Sequence, residues 1–425
     1  MEYSRRIIDD ALDALFPHLA AIALEGAKGV GKTATGTQRA ATVLNFADTA
    51  QRQSVEANYD LVTELPPPVL IDEWQLEPSV WDRVRAAVDE GCGGSSFLLA
   101  GSAGVSPGVR IHSGAGRIVS LRMRPLSLAE RGVCSPSVSL QALLTGESGT
   151  LTGASALKVP DYVDEILRSG FPGIRGLPEQ AREVQLESYV ARIVQRELPE
   201  NGVEVRRPDT LRRWLAAYGA AVSTTSSYTT ILDAATAGEA DKPARQTVSL
   251  YRDHLARLFI LDPVEAWIPT FSPLTRLTQT PKHHLVDPAL AAALAGATRQ
   301  SLLMGRGERI SPRADTGTWL GALFESLVTQ SVRVYAEAVR ARVGHLRTKS
   351  NEREVDLIIE GRDGRVVAIE VKLAATVDDR DVRHLNWLRE VLGDRVADRV
   401  VITTGPYAYR RKDGVAVVPL GLLGP

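Results

Sequence analysis

Along this chain the spacing of hydrophobic positions changes several times, and each change predicts an element. Ala21-Ile22-Ala23-Leu24 is an unbroken apolar run suited to a short buried strand, and "TATGTQRAATVL" after it reads as a helix. Val69-Leu70-Ile71 and "FLLA" (97–100) are two more such runs, and Ile118, Val119, Leu121 and Met123 suggest the next strand. "DYVDEILRSGFPGIRG" (161–176) gives a helix closed by Gly170-Phe171-Pro172. From 180 to 262 the pattern is helical, ending in a segment with Val248, Tyr251, Leu255 and Leu258 at helical spacing. Residues 318–335 form an amphipathic helix. Residues 351–374 then read as a hairpin turning through Gly361-Arg362-Asp363-Gly364, followed by a helix and two strands. Strands alternating with helices make the chain an α/β protein.

Length and composition narrow the picture. With 425 residues the chain has room for two to three domains, each with its own core. A formal net charge of −1 argues against a generally basic nucleic-acid coat or a membrane-surface protein. Only Cys92 and Cys134 occur, without metal-ligand spacing, which fits a reducing cytoplasm. Asp9, Asp10 and Asp13 interrupt the N-terminal apolar pattern, and no run reaches the roughly 18 apolar residues of a membrane span. The expected location is the cytoplasm, away from membranes.

Candidate chemistry begins at residues 26–33, Gly-Ala-Lys-Gly-Val-Gly-Lys-Thr, which fit G-x-x-x-x-G-K-[ST] between a strand and a helix. Gly26, Gly29 and Gly31 let the backbone approach phosphate oxygens, with N–H groups and a helix N-terminus aimed at the anion. Lys32 would neutralise the β- and γ-phosphates of ATP, and the Thr33 hydroxyl would ligate Mg²⁺. Asp72 and Glu73 close the next apolar strand; taken alone such a pair is often a helix cap. Beside a phosphate loop, Asp72 is expected to hold the Mg²⁺ and Glu73 to deprotonate the attacking water. Ser102, at the end of "FLLAGS", is a candidate γ-phosphate sensor. Arg117 either reaches a γ-phosphate, in cis or in trans, or is a solvated strand-edge arginine.

The order GxxxxGKT, "LIDEWQ", "FLLAGSA" and "GRIVSLRMRPLSLAE" resembles a family of prokaryotic AAA+-type ATPases. Its members carry a C-terminal domain of restriction-endonuclease-like type, and the resemblance covers nearly the whole chain. Ala100 stands where the family commonly has Thr before Gly-Ser. The resemblance implies a P-loop core over 1–135, a helical lid over 136–200, a winged-helix-like module over 201–280 and a nuclease-like domain over 281–425. It also implies that Phe171 and Pro172 lie on the base side of the nucleotide; an ordinary helix stop explains these two residues equally well. In a winged helix Arg245, Gln246 and Ser249 would open a recognition helix, although such modules also serve as protein contacts. Arg206, Arg207, Arg212 and Arg213 form a small basic cluster that reads as a solvated face. His283 and His284 are adjacent, point to opposite faces of a strand and are read as structural.

The last hundred residues hold a second constellation. Glu370 and Lys372 share one face of the return strand, hairpin geometry brings Asp356 near them, and Glu325 lies on the preceding helix. This set resembles the PD-(D/E)XK nuclease core. There Asp356, Glu370 and Glu325 would hold Mg²⁺, and Lys372 would orient hydroxide or stabilise the phosphorane. The reading is an ATPase coupled to a nuclease-like domain acting on DNA. Its rival is a nucleotide-dependent switch whose C-terminal domain binds nucleic acid or a protein partner without cleaving; the partners expected beside ATP and DNA are a protein or a second copy of the chain.

Overall fold

The computed structural model describes residues 3–102, 113–200, 205, 207–237, 245–267, 280–304, 316–348 and 353–425. The apolar runs become an all-parallel sheet of five strands: β1 (Ala21–Glu25), β2 (Thr42–Asn45), β3 (Val69–Asp72), β4 (Phe97–Gly101) and β5 (Ile118–Arg122). Their order across the sheet is β2-β3-β4-β1-β5. Strands β1, β3 and β4 are buried almost throughout because helices cover both faces, which is why they read as continuous runs rather than alternations. Since all five run the same way, the ends of β1, β3 and β4 open at one edge, with Glu25 opposite Gly101 and Asp72 opposite Ala100.

The helix after the glycine loop is short, Lys32–Thr37. Gly36 within it has poor helix propensity, and its use lies in packing. A Cβ there would stand 2.8 Å from Leu70 Cδ1, so glycine lets this helix lie directly on the sheet.

Next comes helical structure: Val159–Arg168, Glu179–Arg192 continued by a π-helical turn at Ile193–Glu197, then Pro208–Ala220, Tyr228–Ala235 and Arg245–Arg257. After the last of these, Leu261 and Val264 make antiparallel bridges to Leu285 and Lys282. Three helices are thus followed by a segment that makes isolated bridges to residues 282–285. Gln246 and Ser249 are exposed on the third of these helices, as are Arg212 and Arg213 on the first. Arg206 and the side chain of Arg245 lie outside the described residues. His283 and His284 are fully buried, His283 between the rings of Tyr218 and Tyr228, as structural residues.

The C-terminal body is a six-stranded mixed sheet in the order β11-β12-β10-β9-β8-β7. These strands are β7 (Arg342–Arg347), β8 (Glu354–Glu360), β9 (Val366–Val371), β10 (Val396–Thr403), β11 (Tyr409–Arg410) and β12 (Ala416–Pro419). The long helix Thr316–Ala338 precedes them and the helix Asp379–Leu392 lies between β9 and β10. One boundary differs from expectation. The short strand β6 (Val138–Ser139) pairs with β13 (Leu423–Gly424), and Ser148 bonds Asp398 of β10. Residues 138–148 therefore pack on the C-terminal body instead of opening a lid; their Ser/Gly-rich composition says that they are irregular but not what they lie against.

A buried charge cluster joins the parts. Asp262 Oδ2 accepts from Arg124 Nε at 2.7 Å, and its Oδ1 stands 3.1 Å from Arg122 and 3.2 Å from Arg333. The arginines come from β5, from the segment after it and from the long helix. Asp287 makes a second joint: its carboxylate accepts from Gly170 N at 2.7 Å, from Ser169 Oγ at 3.1 Å and from Gln330 Nε2 at 3.3 Å. The Gly170-Phe171-Pro172 turn is thus tied to the same long helix.

Candidate functional site

The glycine loop adopts the backbone its sequence requires. Gly26, Gly29 and Gly31 have φ of 156°, 85° and 104°, where L side chains are strained. At Gly26 space forbids one as well, since a Cβ would meet the Met123 carbonyl oxygen at 2.2 Å. Lys32 Nζ donates to the carbonyls of Gly26 (2.8 Å) and Ala27 (3.0 Å), folding the ammonium over the loop. Burial lowers its pKa from the ordinary 10.5 to about 8, with Glu73 and Asp72 pulling back upward.

Thr33, Asp72, Glu73 and Ser102 meet at this edge. The Thr33 hydroxyl is 3.0 Å from both carboxylate oxygens of Asp72. Burial, with the neighbouring Glu73 charge, lifts the Asp72 carboxyl above its usual range against the Thr33 hydrogen bond. Glu73 sits at φ 54°, a left-handed turn that directs its carboxylate along the edge. There it accepts from Gln75 Nε2 and, at 3.4 Å, from Ser102 Oγ.

Phe171 and Pro172 divide their roles. Pro172 lines a cavity of about 870 Å³ beside the loop helix, together with Tyr3, Gly31, Thr35, Gln38 and Arg175. Phe171 is buried against the Tyr189 ring (centroids 5.0 Å apart) under Gly29, bordering a smaller space of about 290 Å³. The helical module also grips the loop tip, since Tyr189 Oη donates to the Lys28 carbonyl at 3.0 Å and Lys28 Nζ pairs with Glu197 at 2.9 Å.

Arg117 is not part of this cluster. Ile118 pairs with Ala21 at the start of β1, whereas the loop leaves the other end of that strand, opposite Arg122. Five residues at about 3.3 Å each separate the two ends. Arg117 instead bonds Asp89 at 2.8 Å and is half exposed. Of the alternatives open to Arg117, the cis contact does not fit this position: parallel register turns a residue that precedes β5 away from its own nucleotide loop. Arg117→Ala is expected to leave ATP turnover of dilute protein within about twofold of wild type, measured by phosphate release, as for other surface changes away from a site.

In the C-terminal body Glu325, Asp356, Glu370 and Lys372 do converge. Glu370 Oε1 accepts from Lys372 at 2.9 Å, and Asp356 Oδ2 accepts from Val371 N at 2.9 Å. The sequence reading missed the centre of the group. Lys282, 1% exposed, places its ammonium 2.8 Å from Glu325 Oε1, 2.9 Å from Asp356 Oδ1 and 3.2 Å from Glu354. Burial would lower the Lys282 pKa, but Asp356, Glu325 and Glu354 hold it well above the ordinary value. Burial and the Asp356 charge raise Glu325 to about 8. The metal-ligand role expected of Glu325, Asp356 and Glu370 does not fit this arrangement, because a lysine already engages two of the three. Among the described residues no group of three His, Cys, Asp or Glu is disposed to hold a metal ion. Among them, too, no helix is long and apolar enough to cross a membrane.

Comparison with known proteins gives three family matches along the chain. Residues 19–131 match the family described as AAA domain. Residues 159–301 and 320–423 match two families described as domains of unknown function, DUF8612 and DUF4143. No curated protein matches the chain. Solved structures to which the chain is distantly similar include the following. The Walker-type ATPase PABY2304 of Pyrococcus abyssi has 14% identity and a TM-score of 0.37, covering 67% of this chain and 94% of its own. The FIGL-1 AAA domain has 12% identity and a TM-score of 0.23, covering 60% and 84%. With the glycine loop, Thr33–Asp72 and Glu73 gathered at one edge of a parallel sheet, residues 19–131 are an AAA-type P-loop ATPase domain.

Proposed function

We propose that this protein is an ATP-driven switch, in which nucleotide state at the P-loop sets how firmly the helical module holds the loop tip. In this reading the amides of Gly26–Lys32 and the helix N-terminus receive the phosphates, and Lys32 swings from the Gly26 and Ala27 carbonyls onto them. Mg²⁺, held by Thr33 and Asp72, would offset charge on the β- and γ-phosphate oxygens. Glu73 takes the proton of the attacking water, and Ser102, hydrogen-bonded to Glu73, reports the γ-phosphate.

The observation that carries the proposal is the double grip of Tyr189 and Glu197 on Lys28, a residue of the phosphate loop itself. A triphosphate drawing on the loop competes with that grip. The disturbance then has a continuous route through the Gly170 turn and Asp287 to Gln330 on the helix that carries Glu325. Hydrogen exchange across 185–197 and 320–335 tests this. Mg·ATP is expected to change protection in both segments, and an effect confined to 26–37 would contradict the switch.

A second reading, metal-dependent cleavage of DNA, draws support from the convergence of Glu325, Asp356, Glu370 and Lys372 on a body with helix, three antiparallel strands, helix and strand in restriction-endonuclease-like order. Lys282 among those carboxylates favours the non-cleaving switch.

A further inference from the structure

Lys282 stands where a nuclease of this architecture would carry its cation. The side chain is not a loose arm that happens to reach the cluster. Lys282 N donates to the Val264 carbonyl and Val264 N to the Lys282 carbonyl, both at 2.9 Å, while His283 N donates to Thr224 O at 2.8 Å. Backbone on both sides of the lysine is thus pinned to the helical module.

Four of the carboxylate oxygens are engaged, while Glu370 Oε2 is buried without a hydrogen-bond partner among the described residues. Glu325 Oε1 and Asp356 Oδ1 face the ammonium, Asp356 Oδ2 faces the Val371 amide, and Glu370 Oε1 faces Lys372. A divalent ion on the same oxygens would stand a few ångströms from a buried ammonium, where water does little to screen the repulsion of like charges. Withdrawing the lysine to make room is opposed by the backbone bonds that pin it on both sides. The two cations exclude one another.

We infer that the Lys282 ammonium is the resident cation of the C-terminal cluster, replacing the divalent metal, so that the cluster takes up no metal while the lysine is present. The inference rests on the restriction-endonuclease-like reading of this body and deepens the non-cleaving switch.

Manganese titration followed by the electron paramagnetic resonance of free Mn²⁺ tests it, on the full chain carrying Asp72→Asn to silence the P-loop. No Mn²⁺ site attributable to the C-terminal body is expected there. Adding Lys282→Met, which keeps the length of the side chain and removes its charge, is expected to create one Mn²⁺ site per chain. Adding Asp356→Asn as well, which removes a direct ligand, should weaken that site by at least the roughly 10–100-fold typical of losing an outer-shell partner. Bound Mn²⁺ should also raise the melting temperature of the Lys282→Met chain and not that of its parent. A Mn²⁺ site in the Lys282-containing chain that Asp356→Asn removes would overturn the inference while leaving the nuclease-like reading intact. That comparison decides even if Lys282→Met does not fold. A folded Lys282→Met chain that takes no Mn²⁺ would instead overturn the nuclease-like reading of the carboxylates, and the inference with it.

Discussion

Replacing Lys32 by methionine is expected to slow ATP turnover on the order of 10²–10³-fold, the loss seen when one charge-stabilising donor is removed from a reacting group. Phosphate release under saturating Mg·ATP measures it. The nucleotide-free variant is expected to melt no earlier than wild type at pH 7, which separates a functional loss from misfolding. Burial depresses the folded-state pKa of Lys32 from 10.5 to about 8. For a depressed group the favourable contribution is complete above the unfolded value and is lost as pH falls through the folded one. At neutral pH the buried ammonium is therefore a cost that methionine removes, and the advantage of the variant should shrink as pH rises from 8 towards 10.

The largest loss of stability is expected at Asp262, where Asp262→Asn removes the carboxylate that Arg122, Arg124 and Arg333 share. Leaving buried charge uncompensated in this way costs about 3–5 kcal/mol. Chemical denaturation should show it in the unfolding midpoint, with ATP turnover falling only as folded protein is lost. Burial alone would raise the Asp262 pKa, but Arg124, Arg333 and Arg122 hold it far below the usual carboxylate range. Its contribution is complete above the unfolded value of about 4 and is lost as pH falls through the much lower folded one. Stability of the Asn variant should fall less steeply than that of wild type below pH 4.

What the sequence disclosed, and what it hid, follows from distance along the chain. The phosphate loop was legible because its chemistry is local: eight consecutive residues set the glycine angles and place Lys32 and Thr33. Asp72, Glu73 and Ser102 were legible because they end apolar runs, and parallel strands bring such ends to one edge. That same parallel register displaced Arg117, which precedes its strand and so lies at the far edge. Phe171 and Pro172, expected on the base side of the nucleotide, each border a cavity beside the loop, and Phe171 also supports the loop from beneath. Gly36 is a poor helix former whose place is explained by Leu70, which lies against it from a distant strand.

The hinges between parts gave no local signal. Lys282 finds Glu325 43 residues away and Asp356 74 residues away. It lies beside the two histidines that drew the eye, in a stretch whose pattern indicated only a strand. Asp262 meets Arg124 138 residues upstream, and Asp287, the cap of the helix that begins at Pro288, also receives Gly170 N from 117 residues away. Periodicity reports which face of an element is buried, not which distant side chain supplies its counter-charge.

The claim on which the rest depends is that the P-loop domain hydrolyses ATP with Glu73 as the base. The most direct measurement is a paired one on Glu73→Gln: calorimetric binding of Mg·ATP and steady-state phosphate release. The expected result is ATP bound at one site per chain with turnover reduced to background. Turnover that survives in Glu73→Gln, or a wild-type chain that neither binds nor hydrolyses ATP, would contradict it.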